Sequence, residues 1–545
     1  MTRGIALAAL WSMLVAVALL TRPPLAVDET RYLSVAWEMF SRGDWLVPHL
    51  NGETYSHKPP LLFWLILSAW KVLGDSETAA RLVAPLFGLR HLFLTAGLAR
   101  LIWPGSDGRA VAAVAPFILL GSGLWALFTT LTRFDMMVST FVLLGVMGLV
   151  LAARSFYLIG FVLFALAIGG GALSKGPVIL LYLLPLALAG PYWAPGILHS
   201  RFRLSWRAWY WGVLAAVIAG AAIGLAWAIP AARAGGPAYA EAIFWSQSAG
   251  RMTESFAHRQ PFWWYLPQLP LLLFPWLLWP PAWRAVGAIM NRADPASRLC
   301  LLWILGGLAI FSAISGKGPH YLLPLFPGFA LLLARYLMLQ EDRLRPYDTL
   351  LPAFLVAALG AVASAWPSIL AHWPEIPRAW SPPGWTSTTY MLFGVGLGLA
   401  AVVTVASHAA RHGFDAVRSL LVLPLSLIVL AHAVGIAPGV AAFDLAPAGR
   451  YLQQQENAGR AIAMLNDYHG EFHFAGRLRR PIAELDGNSV RAWLDANGNG
   501  VVLTRTRVLP AAPVAPVYTQ PMGGRTLAAW DSATVKAHLP AFVGP

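Results

Sequence analysis

The sequence RFDMMVSTFVLLGVMGLVLAA (residues 133–153) is followed closely by SFYLIGFVLFALAIGGGA (155–172) and by KGPVILLYLLPLALAGPY (175–192). Each segment has the roughly 17–25 residues that an α-helix needs to cross the hydrocarbon core of a bilayer. The charged residues within the three segments are Arg133, Asp135 and Lys175, and all of them lie at segment ends. The stretch therefore predicts consecutive membrane-spanning helices with charges at the edge of the bilayer.

The composition of the whole chain extends this prediction. Of its 545 residues, 58% are apolar and only 12% are Asp, Glu, Lys or Arg, well below the ~25% of an ordinary soluble domain. So few charges cannot solvate a water-soluble protein of this size, and so apolar a chain is not disordered. The single cysteine, Cys300, cannot form an intrachain disulfide and is predicted to pack as a small apolar residue. We therefore predict an all-α polytopic membrane protein.

About thirteen segments have the length and polarity of a transmembrane helix. They are residues 4–20, 79–102, 109–128, 133–153, 155–172, 175–192, 209–230, 266–288, 298–314, 318–339, 349–371, 386–408 and 418–437. The first could instead be a signal peptide, but no clear small-residue cleavage site follows it. We predict that it is retained as an anchor.

The distribution of arginine predicts the orientation of these helices. With a cytoplasmic N-terminus, the cytoplasmic segments hold Arg3, Arg100, Arg109, Arg154, Arg201, Arg203, Arg207, Arg284, Arg292, Arg298, Arg335, Arg343, Arg345, Arg411 and Arg418. The short loops on the other side hold only Arg133, Lys175, Lys317 and Arg378. This asymmetry follows the positive-inside rule, and it explains much of the net charge of +14 without a nucleic-acid partner.

Two long loops and a tail then lie on the outer side of the membrane. A transmembrane domain over residues 1–437 contains the outer loops, at about 21–78 and 231–265. Residues 438–545 are more polar, and we predict that they form a small α/β domain on the same side. Within that tail, residues 459–465 look helical and Val501-Val502-Leu503-Thr504 reads as a strand.

The first outer loop has the densest set of polar residues. Asp28 and Glu29 directly follow the first span, and Lys58 precedes Pro59 and Pro60, which stiffen the chain. Polar residues at the membrane edge are costly and usually functional. An interfacial loop anchored by tryptophans explains Trp37 well but does not explain this charge pattern.

These residues resemble a known family. The motifs D-E-x-R-Y, E-M, G-D-W, N-G and Y-x-x-K-P-P-L between Asp28 and Leu62 are similar to the first periplasmic loop of the lipid A aminoarabinose transferases, relatives of the protein O-mannosyltransferases. Further motifs follow in the family order. They are Arg133-Phe134-Asp135, Leu173-Ser174-Lys175-Gly176-Pro177, AHRQPFWWY at 257–265 and KGPHYLLPLFP at 317–327.

The resemblance implies a GT-C-type integral membrane glycosyltransferase of the bacterial inner membrane. Such an enzyme takes a sugar from a polyprenyl phosphate, expected to be undecaprenyl phosphate, and transfers it with inversion on the periplasmic side. The acceptor would be an envelope molecule such as lipid A or lipopolysaccharide. A lipid-borne donor needs a cavity open to the bilayer, and a polar site at the membrane edge is compatible with one.

The resemblance also assigns roles to individual residues. Asp28 matches the catalytic carboxylate and Asp135 a second acidic position, although Asp28 could instead form a structural ion pair with Arg31. The expected donor-binding residues are Lys58, Lys175, Arg31, Tyr32, Tyr55, Tyr321, Arg251 and Arg259. Lys58 is the strongest candidate phosphate ligand, whereas Lys175 could simply extend its amine to the interface.

One departure from the family concerns a metal ion. The aminoarabinose enzymes have Glu before the lysine of the K-P-P motif, where this chain has His57, and their loop histidine corresponds to Ser248. These two family positions hold a metal. A divalent ion could instead use His57 with Glu29 or Asp28. The same change leaves the identity of the sugar and the acceptor open.

Two other classes of function remain open from the sequence. A transporter or flippase for polyprenyl-linked glycans would suit thirteen spans, but it usually has charges near the midplane and repeated halves. A protein acceptor, as in the O-mannosyltransferases, is an alternative within the enzyme class. A receptor or scaffold would leave Asp28, Lys58 and Lys175 without a role.

Overall fold

The structure, a computed structural model, describes residues 2–197, 205–245, 259–292, 294–339, 344–377, 380–407, 413–465, 467–510 and 515–543. Within these ranges, 10 helical stretches are long and apolar enough to cross a membrane. They are Thr2–Thr21, Glu77–Ile102, Asp135–Ala153, Tyr157–Leu188, Trp206–Gly235, Pro295–Ala313, Pro319–Met338, Tyr347–His372, Ser387–Ser407 and Phe414–Asn457. The chain is therefore mostly helical, as its composition predicts.

Three segments account for the difference between these stretches and the thirteen predicted spans. Residues 109–128 form the shorter helix Gly105–Leu120 and, after Gly121 and Ser122, the helix Gly123–Phe128. Residues 266–288 form short helical pieces before the helix Pro280–Arg292, because prolines remove backbone donors at several positions. The third difference is that the stretch Tyr157–Leu188 contains two of the predicted spans.

The chain reverses its direction inside Tyr157–Leu188. The helix Tyr157–Lys175 ends at Gly176, whose φ of 79° lies in the left-handed region that favours glycine. The next helix, Ile179–Leu188, runs back toward the end at which the first one began. The helix Trp206–Gly235 lies parallel to the first helix, with Gly212 at Phe161 and Gly220 at Ile168, and Trp209 Nε1 near its start donates a hydrogen bond to the Ala187 carbonyl. Lys175 consequently lies at a turn between two antiparallel helices.

The first outer loop is folded. It begins with the amphipathic helix Asp28–Arg42, continues through a short antiparallel hairpin of β1 (His49–Leu50) and β2 (Glu53–Thr54), and ends with the helix Leu61–Leu73. The loop has its own apolar core, which includes Leu33, Phe63 and Trp70. A packed core fixes the helix that begins at Asp28 and the chain around Lys58.

The C-terminal region forms a mixed five-stranded sheet in the order β4-β3-β5-β7-β6. The strands are β3 (Ile462–Leu465), β4 (Ala483–Leu485), β5 (Val501–Thr506), β6 (Tyr518–Met522) and β7 (Arg525–Asp531). β3 is parallel to β4 and β5, whereas β7 is antiparallel to β5 and β6. The helices Ala446–Asn457 and Ser489–Ala496 pack against the sheet.

The prediction of a strand at 501–504 is confirmed, and the prediction of a helix at 459–465 is wrong. The helix Ala446–Asn457 ends before Gly459, whose φ is 74°, and residues 462–465 form β3. The four residues of β3 are buried and alternate between two apolar clusters. A short apolar run is compatible with either a helix or a strand, and these residues form a strand that is buried on both faces of the sheet.

The C-terminal sheet region packs on the first outer loop. Trp70 stacks on Phe474 with ring centroids 5.3 Å apart and an interplanar angle of 5°. Trp37 Nε1 donates a hydrogen bond to the Leu478 carbonyl at 2.9 Å, and Ser34 donates to the Gly470 carbonyl. These contacts connect the C-terminal region to the same helix, Asp28–Arg42, that begins with Asp28.

Polar contacts divide the helix bundle into two opposite faces. The Arg3 face is the side on which the helix Thr2–Thr21 begins, and there Arg3 lies over the Phe414 ring. The Asp28 face, beyond the other end of that helix, contains Asp28, Asp135, Lys175 and the C-terminal region. Two contacts join segments that the sequence places on the cytoplasmic side: Arg335 pairs with Asp107 at 2.6 Å, and Arg154 donates a hydrogen bond to the Leu101 carbonyl at 2.6 Å.

Candidate functional site

Three charged residues on the Asp28 face lie at helix ends that suit their charge. Asp28 begins the helix Asp28–Arg42 and Asp135 begins the helix Asp135–Ala153, while Lys175 ends the helix Tyr157–Lys175. A helix N-terminus favours an anion and a C-terminus favours a cation, because of the helix dipole. Local structure therefore stabilises all three charges at the membrane edge.

These residues and Arg133 form a continuous series of ion pairs, here called the ion-pair chain. Arg133 Nη1 lies 2.6 Å from Asp28 Oδ2, and Arg133 Nε lies 3.1 Å from Asp135 Oδ2. Lys175 Nζ lies 2.6 Å from Asp135 Oδ1. Asp28, the pair Arg133 and Asp135, and Lys175 come from three separate segments of the sequence, and the fold brings them together.

The two carboxylates of the ion-pair chain differ in access to solvent. The Asp28 side chain is 43% exposed, whereas the Asp135 side chain is 5% exposed. Asp135 uses one oxygen for Arg133 and the other for Lys175. Asp28 is therefore the carboxylate that a substrate can reach, and Asp135 holds the two cations in place.

A cavity of about 310 Å³ adjoins the ion-pair chain. Lys58 and Lys175 both line it, together with His57. Its walls are apolar side chains from the helices Tyr157–Lys175, Ile179–Leu188 and Trp206–Gly235. The cavity thus combines two cations with a wall suited to a hydrocarbon chain.

The predicted tyrosines lie around the same cations. Tyr321 presents its ring to Lys175, with Nζ 4.9 Å from the ring centroid. Tyr32 is buried and packs edge-on against Phe134 at 5.0 Å. Burial and then the charge of Asp28 raise the pKa of Tyr32, so its hydroxyl stays protonated and can donate a hydrogen bond. Tyr55 is also buried, and its ring lies 5.2 Å from that of His57.

The predicted arginines have different positions. Arg31 is half-buried, and its Nε has no hydrogen-bond partner among the described residues. The Arg259 side chain is exposed, while its backbone forms a bridge with Gly316. Lys317 contacts the same segment by donating a hydrogen bond to the Gln260 carbonyl at 3.2 Å. Arg251 and Ser248 lie outside the described residues.

Glu29 does not belong to the cavity, contrary to its prediction as a metal ligand. Its carboxylate is fully buried, pairs with Arg22, and accepts hydrogen bonds from Leu25 N at 2.8 Å and Thr132 N at 2.6 Å. Burial by itself raises the pKa of Glu29, but the adjacent Arg22 guanidinium lowers it below its usual range.

The described residues also offer no alternative metal site, since they contain no group of three His, Cys, Asp or Glu side chains placed to hold an ion. The pair His57 and Glu29 therefore does not fit a divalent metal, because the glutamate oxygens are already bound within the protein.

Arg133 is the site residue whose role the sequence did not reveal. It bridges both carboxylates of the ion-pair chain and lies 5.4 Å from the Phe128 ring. The motif Arg133-Phe134-Asp135 contained a usable signal, because an arginine two residues before a helix-initiating aspartate can reach it. With Lys58 and Lys175, three cations accompany two carboxylates, so the site has the positive excess that a phosphate requires.

Comparisons with known proteins show which proteins the chain is similar to. No protein-family profile matches the chain. It is 31% identical over 367 residues to an undecaprenyl phosphate-alpha-4-amino-4-deoxy-L-arabinose arabinosyl transferase of Pectobacterium carotovorum, an alignment covering 65% of the chain and 62% of that relative. A protein of the same description from Pseudomonas fluorescens is 30% identical over 465 residues, covering 83% of the chain and 79% of the relative. The chain thus spans less than two thirds of the Pectobacterium relative.

Solved structures show the same fold. The crystal structure of ArnT from Cupriavidus metallidurans bound to undecaprenyl phosphate superposes with a TM-score of 0.75 and 20% identity, covering 99% of both chains. The apo structure of the same protein gives 0.74. At this identity the likeness concerns the fold alone, and with the apolar helices it shows a multi-pass membrane protein.

Proposed function

The chain belongs to the family of undecaprenyl phosphate-alpha-4-amino-4-deoxy-L-arabinose arabinosyl transferases, and from this premise we propose that it is an integral membrane glycosyltransferase. Its donor is a sugar carried on undecaprenyl phosphate, as the name of its relatives states for them. Its acceptor is an envelope glycolipid of the lipid A class.

One observation carries the proposal: Lys58 and Lys175 line an apolar-walled cavity, and ion pairs through Asp135 and Arg133 connect Lys175 to the exposed carboxylate of Asp28. A polyprenyl phosphate has the matching features, an anionic group at the end of a long apolar chain. The position of the charges at helix ends, rather than near the bilayer midplane, favours a transferase over a transporter.

The reaction follows from the placement of these groups. Asp28 removes the proton from an acceptor hydroxyl while the hydroxyl oxygen forms a bond to the anomeric carbon of the sugar. The bond between that carbon and the phosphate oxygen breaks on the opposite side, so the anomeric configuration is inverted. Undecaprenyl phosphate leaves with the bonding electron pair, and the proton remains on Asp28.

The cations act on the leaving group. Negative charge develops on the phosphate oxygen as its bond to the sugar breaks, and Lys58 and Lys175 lie at the cavity where that charge forms. Asp135 and Arg133 are positioning residues, because they hold Lys175 and Asp28 through ion pairs of 2.6 Å. Glu29 takes no part in these steps, since its carboxylate is paired with Arg22.

The location follows from the arginine distribution. We place the Arg3 face in the cytoplasm and the Asp28 face in the periplasm, with the chain in the inner membrane. The helix Gly105–Leu120, the broken segment at 266–288 and the second half of Tyr157–Leu188 complete the thirteen crossings in this arrangement. The C-terminal region at 438–545 is then a periplasmic domain.

The test is sugar transfer by the purified full-length protein. Undecaprenyl phosphate-aminoarabinose and lipid A are incubated with wild type, Asp28→Asn or Lys58→Ala, and the modified lipid is quantified by mass spectrometry. We expect Asp28→Asn to lower the rate by about 10²–10⁴-fold, as for loss of a general base, and Lys58→Ala chiefly to weaken donor use.

Matched controls come from the same loop. Glu53→Gln removes an exposed carboxylate and Lys71→Ala removes a lysine that lies 4.5 Å from the Trp45 ring, and both should retain activity. Full turnover by Asp28→Asn would remove the catalytic assignment. No transfer by wild type with this donor, but transfer with another undecaprenyl phosphate sugar, would correct the substrate and keep the reaction.

A further inference from the structure

A second cavity, of about 980 Å³, lies among the helices Thr2–Thr21, Ser387–Ser407 and Gly413–Leu430. We call it the Arg3 groove. It is separate from the donor cavity, with which it shares no lining residue. Several of its apolar side chains are well exposed, among them Met13, Leu399 and Val403. An apolar groove of this size on a membrane protein requires an apolar occupant.

The groove has two arginines at one end. Arg3 lies over the Phe414 ring, with Cζ 4.1 Å from the centroid, and Arg418 lies 6.0 Å from the same ring. Arg418 Nη1 lies 3.8 Å from Asp415 Oδ1, and the Arg418 side chain is 64% exposed. An ion pair this open contributes little, so both guanidinium groups remain available to an anion.

Two helix N-termini lie at the same end. Arg3 is in the first turn of Thr2–Thr21, and Phe414 is in the first turn of Gly413–Leu430. Their contact shows that both helices begin on the Arg3 face, so their positive dipole ends act together with the two arginines. The end of the groove on this face is therefore net positive, with two arginines and two helix N-termini against the carboxylate of Asp415.

The length of the groove matches one leaflet. Its lining on the last of these helices extends from Arg418 to Leu430, spaced every three or four residues along one helix face. Twelve residues of α-helix measure roughly 18 Å, close to the roughly 15 Å half-thickness of the hydrocarbon core. A groove with a cationic end at the membrane surface and an apolar wall reaching about the midplane has the dimensions of one phospholipid.

We propose that the Arg3 groove is a binding site for a phospholipid with an anionic headgroup, drawn from the leaflet opposite the donor cavity. The phosphate and the anionic headgroup contact Arg3 and Arg418, and an acyl chain lies along the small side chains Ala6 and Ala9. This site is independent of the proposed reaction, because the groove and the ion-pair chain lie on opposite faces.

Native mass spectrometry of the full-length protein in detergent tests the site. The protein is supplied with phosphatidylglycerol and phosphatidylethanolamine of identical acyl chains at equal concentrations. We expect one phosphatidylglycerol to be retained in about 10-fold preference over phosphatidylethanolamine, the selectivity that two arginines give for an anionic lipid. The double variant Arg3→Gln/Arg418→Gln should bind both lipids equally.

Two further variants separate the headgroup from the groove. Arg100→Gln, a control that removes an arginine from the same face outside the groove, should keep the preference. Ala9→Phe, which fills the groove from an exposed position, should reduce binding of both lipids at this site.

The proposal fails if wild type shows no preference for phosphatidylglycerol, or if the double variant keeps the wild-type preference. A protein dimer that Ala9→Phe dissociates would also overturn it, since the occupant would then be a second copy of the chain.

Discussion

Two ionic clusters that contain neighbouring residues illustrate the difference between structure and function in this protein. The buried pair Arg22–Glu29 has side-chain exposures of 2% and 1%, and its carboxylate is fully bound within the protein. The ion-pair chain begins one residue away at Asp28, which is 43% exposed, and it ends at Lys175, which lines a cavity together with Lys58. A buried charge whose hydrogen-bond partners all lie within the protein stabilises the fold, whereas an exposed charge can contact a substrate.

The physical cause of the difference is the geometry of one helix. Successive residues of an α-helix point about 100° apart, so Asp28 and Glu29 at the start of Asp28–Arg42 face different surroundings. Glu29 points toward Arg22 and Thr132, while Asp28 points toward Arg133. Sequence alone shows only an acidic pair.

We expect the largest effect on stability from a substitution that breaks the buried Arg22–Glu29 pair. Glu29→Gln leaves Arg22 buried without a counter-charge, and we expect it to lower the free energy of unfolding by about 3–5 kcal/mol. Asp28→Asn removes a half-exposed ion pair and should cost less than about 1 kcal/mol. Thermal unfolding in detergent, followed by the fluorescence of the 25 tryptophans, measures both. Equal Tm values for the two variants would contradict the comparison.

A change of pH should weaken the packing of the C-terminal region while leaving the Arg22–Glu29 pair ionised. Burial lowers the pKa of His473 to about 4, and its Nδ1 lies 2.7 Å from Tyr468 Oη. The unfolded chain protonates this histidine below about 6.5 and the folded chain only near 4, so stability is lost as pH falls through that window. The loss is about 3 kcal/mol.

The variant His473→Gln isolates this effect. Burial raises the pKa of Glu38, which is 3.9 Å from His473, and the contribution of that carboxyl has the opposite sign. The measured quantity is therefore the difference in unfolding free energy between wild type and His473→Gln from pH 6.5 to 4. Parallel pH profiles for the two proteins would show that His473 is not responsible.

Removal of the Lys175 charge from the ion-pair chain should lower the activity. Lys175→Met deletes the charge that contacts both the cavity and Asp135, and we expect kcat to fall by about 10²-fold, as for loss of one group that stabilises a developing anion. Lys175→Arg should recover part of the rate. Sugar transfer at saturating donor measures kcat, and an unchanged kcat would remove Lys175 from the site.

The smallest expected effect concerns the bridge between the two carboxylates. Arg133→Lys keeps the charge but cannot contact Asp28 and Asp135 through separate nitrogens, because lysine offers a single amine. We expect an activity loss of about 10-fold, with the Tm changed by only a few degrees. An effect as large as that of Lys175→Met would indicate that Arg133 itself contacts the substrate.

Much of the fold could be predicted because apolar length alone selects membrane helices. The prediction is less accurate where backbone chemistry intervenes, as in residues 266–288, where prolines divide an apolar run into short pieces. For the site, the motifs pointed to Asp28, Lys58 and Lys175; in the structure the two lysines line one cavity, and ion pairs connect Lys175 to Asp28 through Asp135 and Arg133. The bridging role of Arg133 did not follow from the motifs, because its second partner, Asp28, lies in a distant segment and leaves no local pattern.

The sequence by itself determined that this chain lies in a membrane, which ends of its helices carry charge and which family motifs it contains, because these properties depend on composition and local spacing. Only the tertiary structure decided which carboxylate is exposed, that of Asp28, and which is buried, that of Glu29. Asp28 and Glu29 differ in sequence by one position, but each accepts a hydrogen bond from a segment more than a hundred residues away, Asp28 from Arg133 and Glu29 from Thr132. Those contacts exist only when the helices are packed.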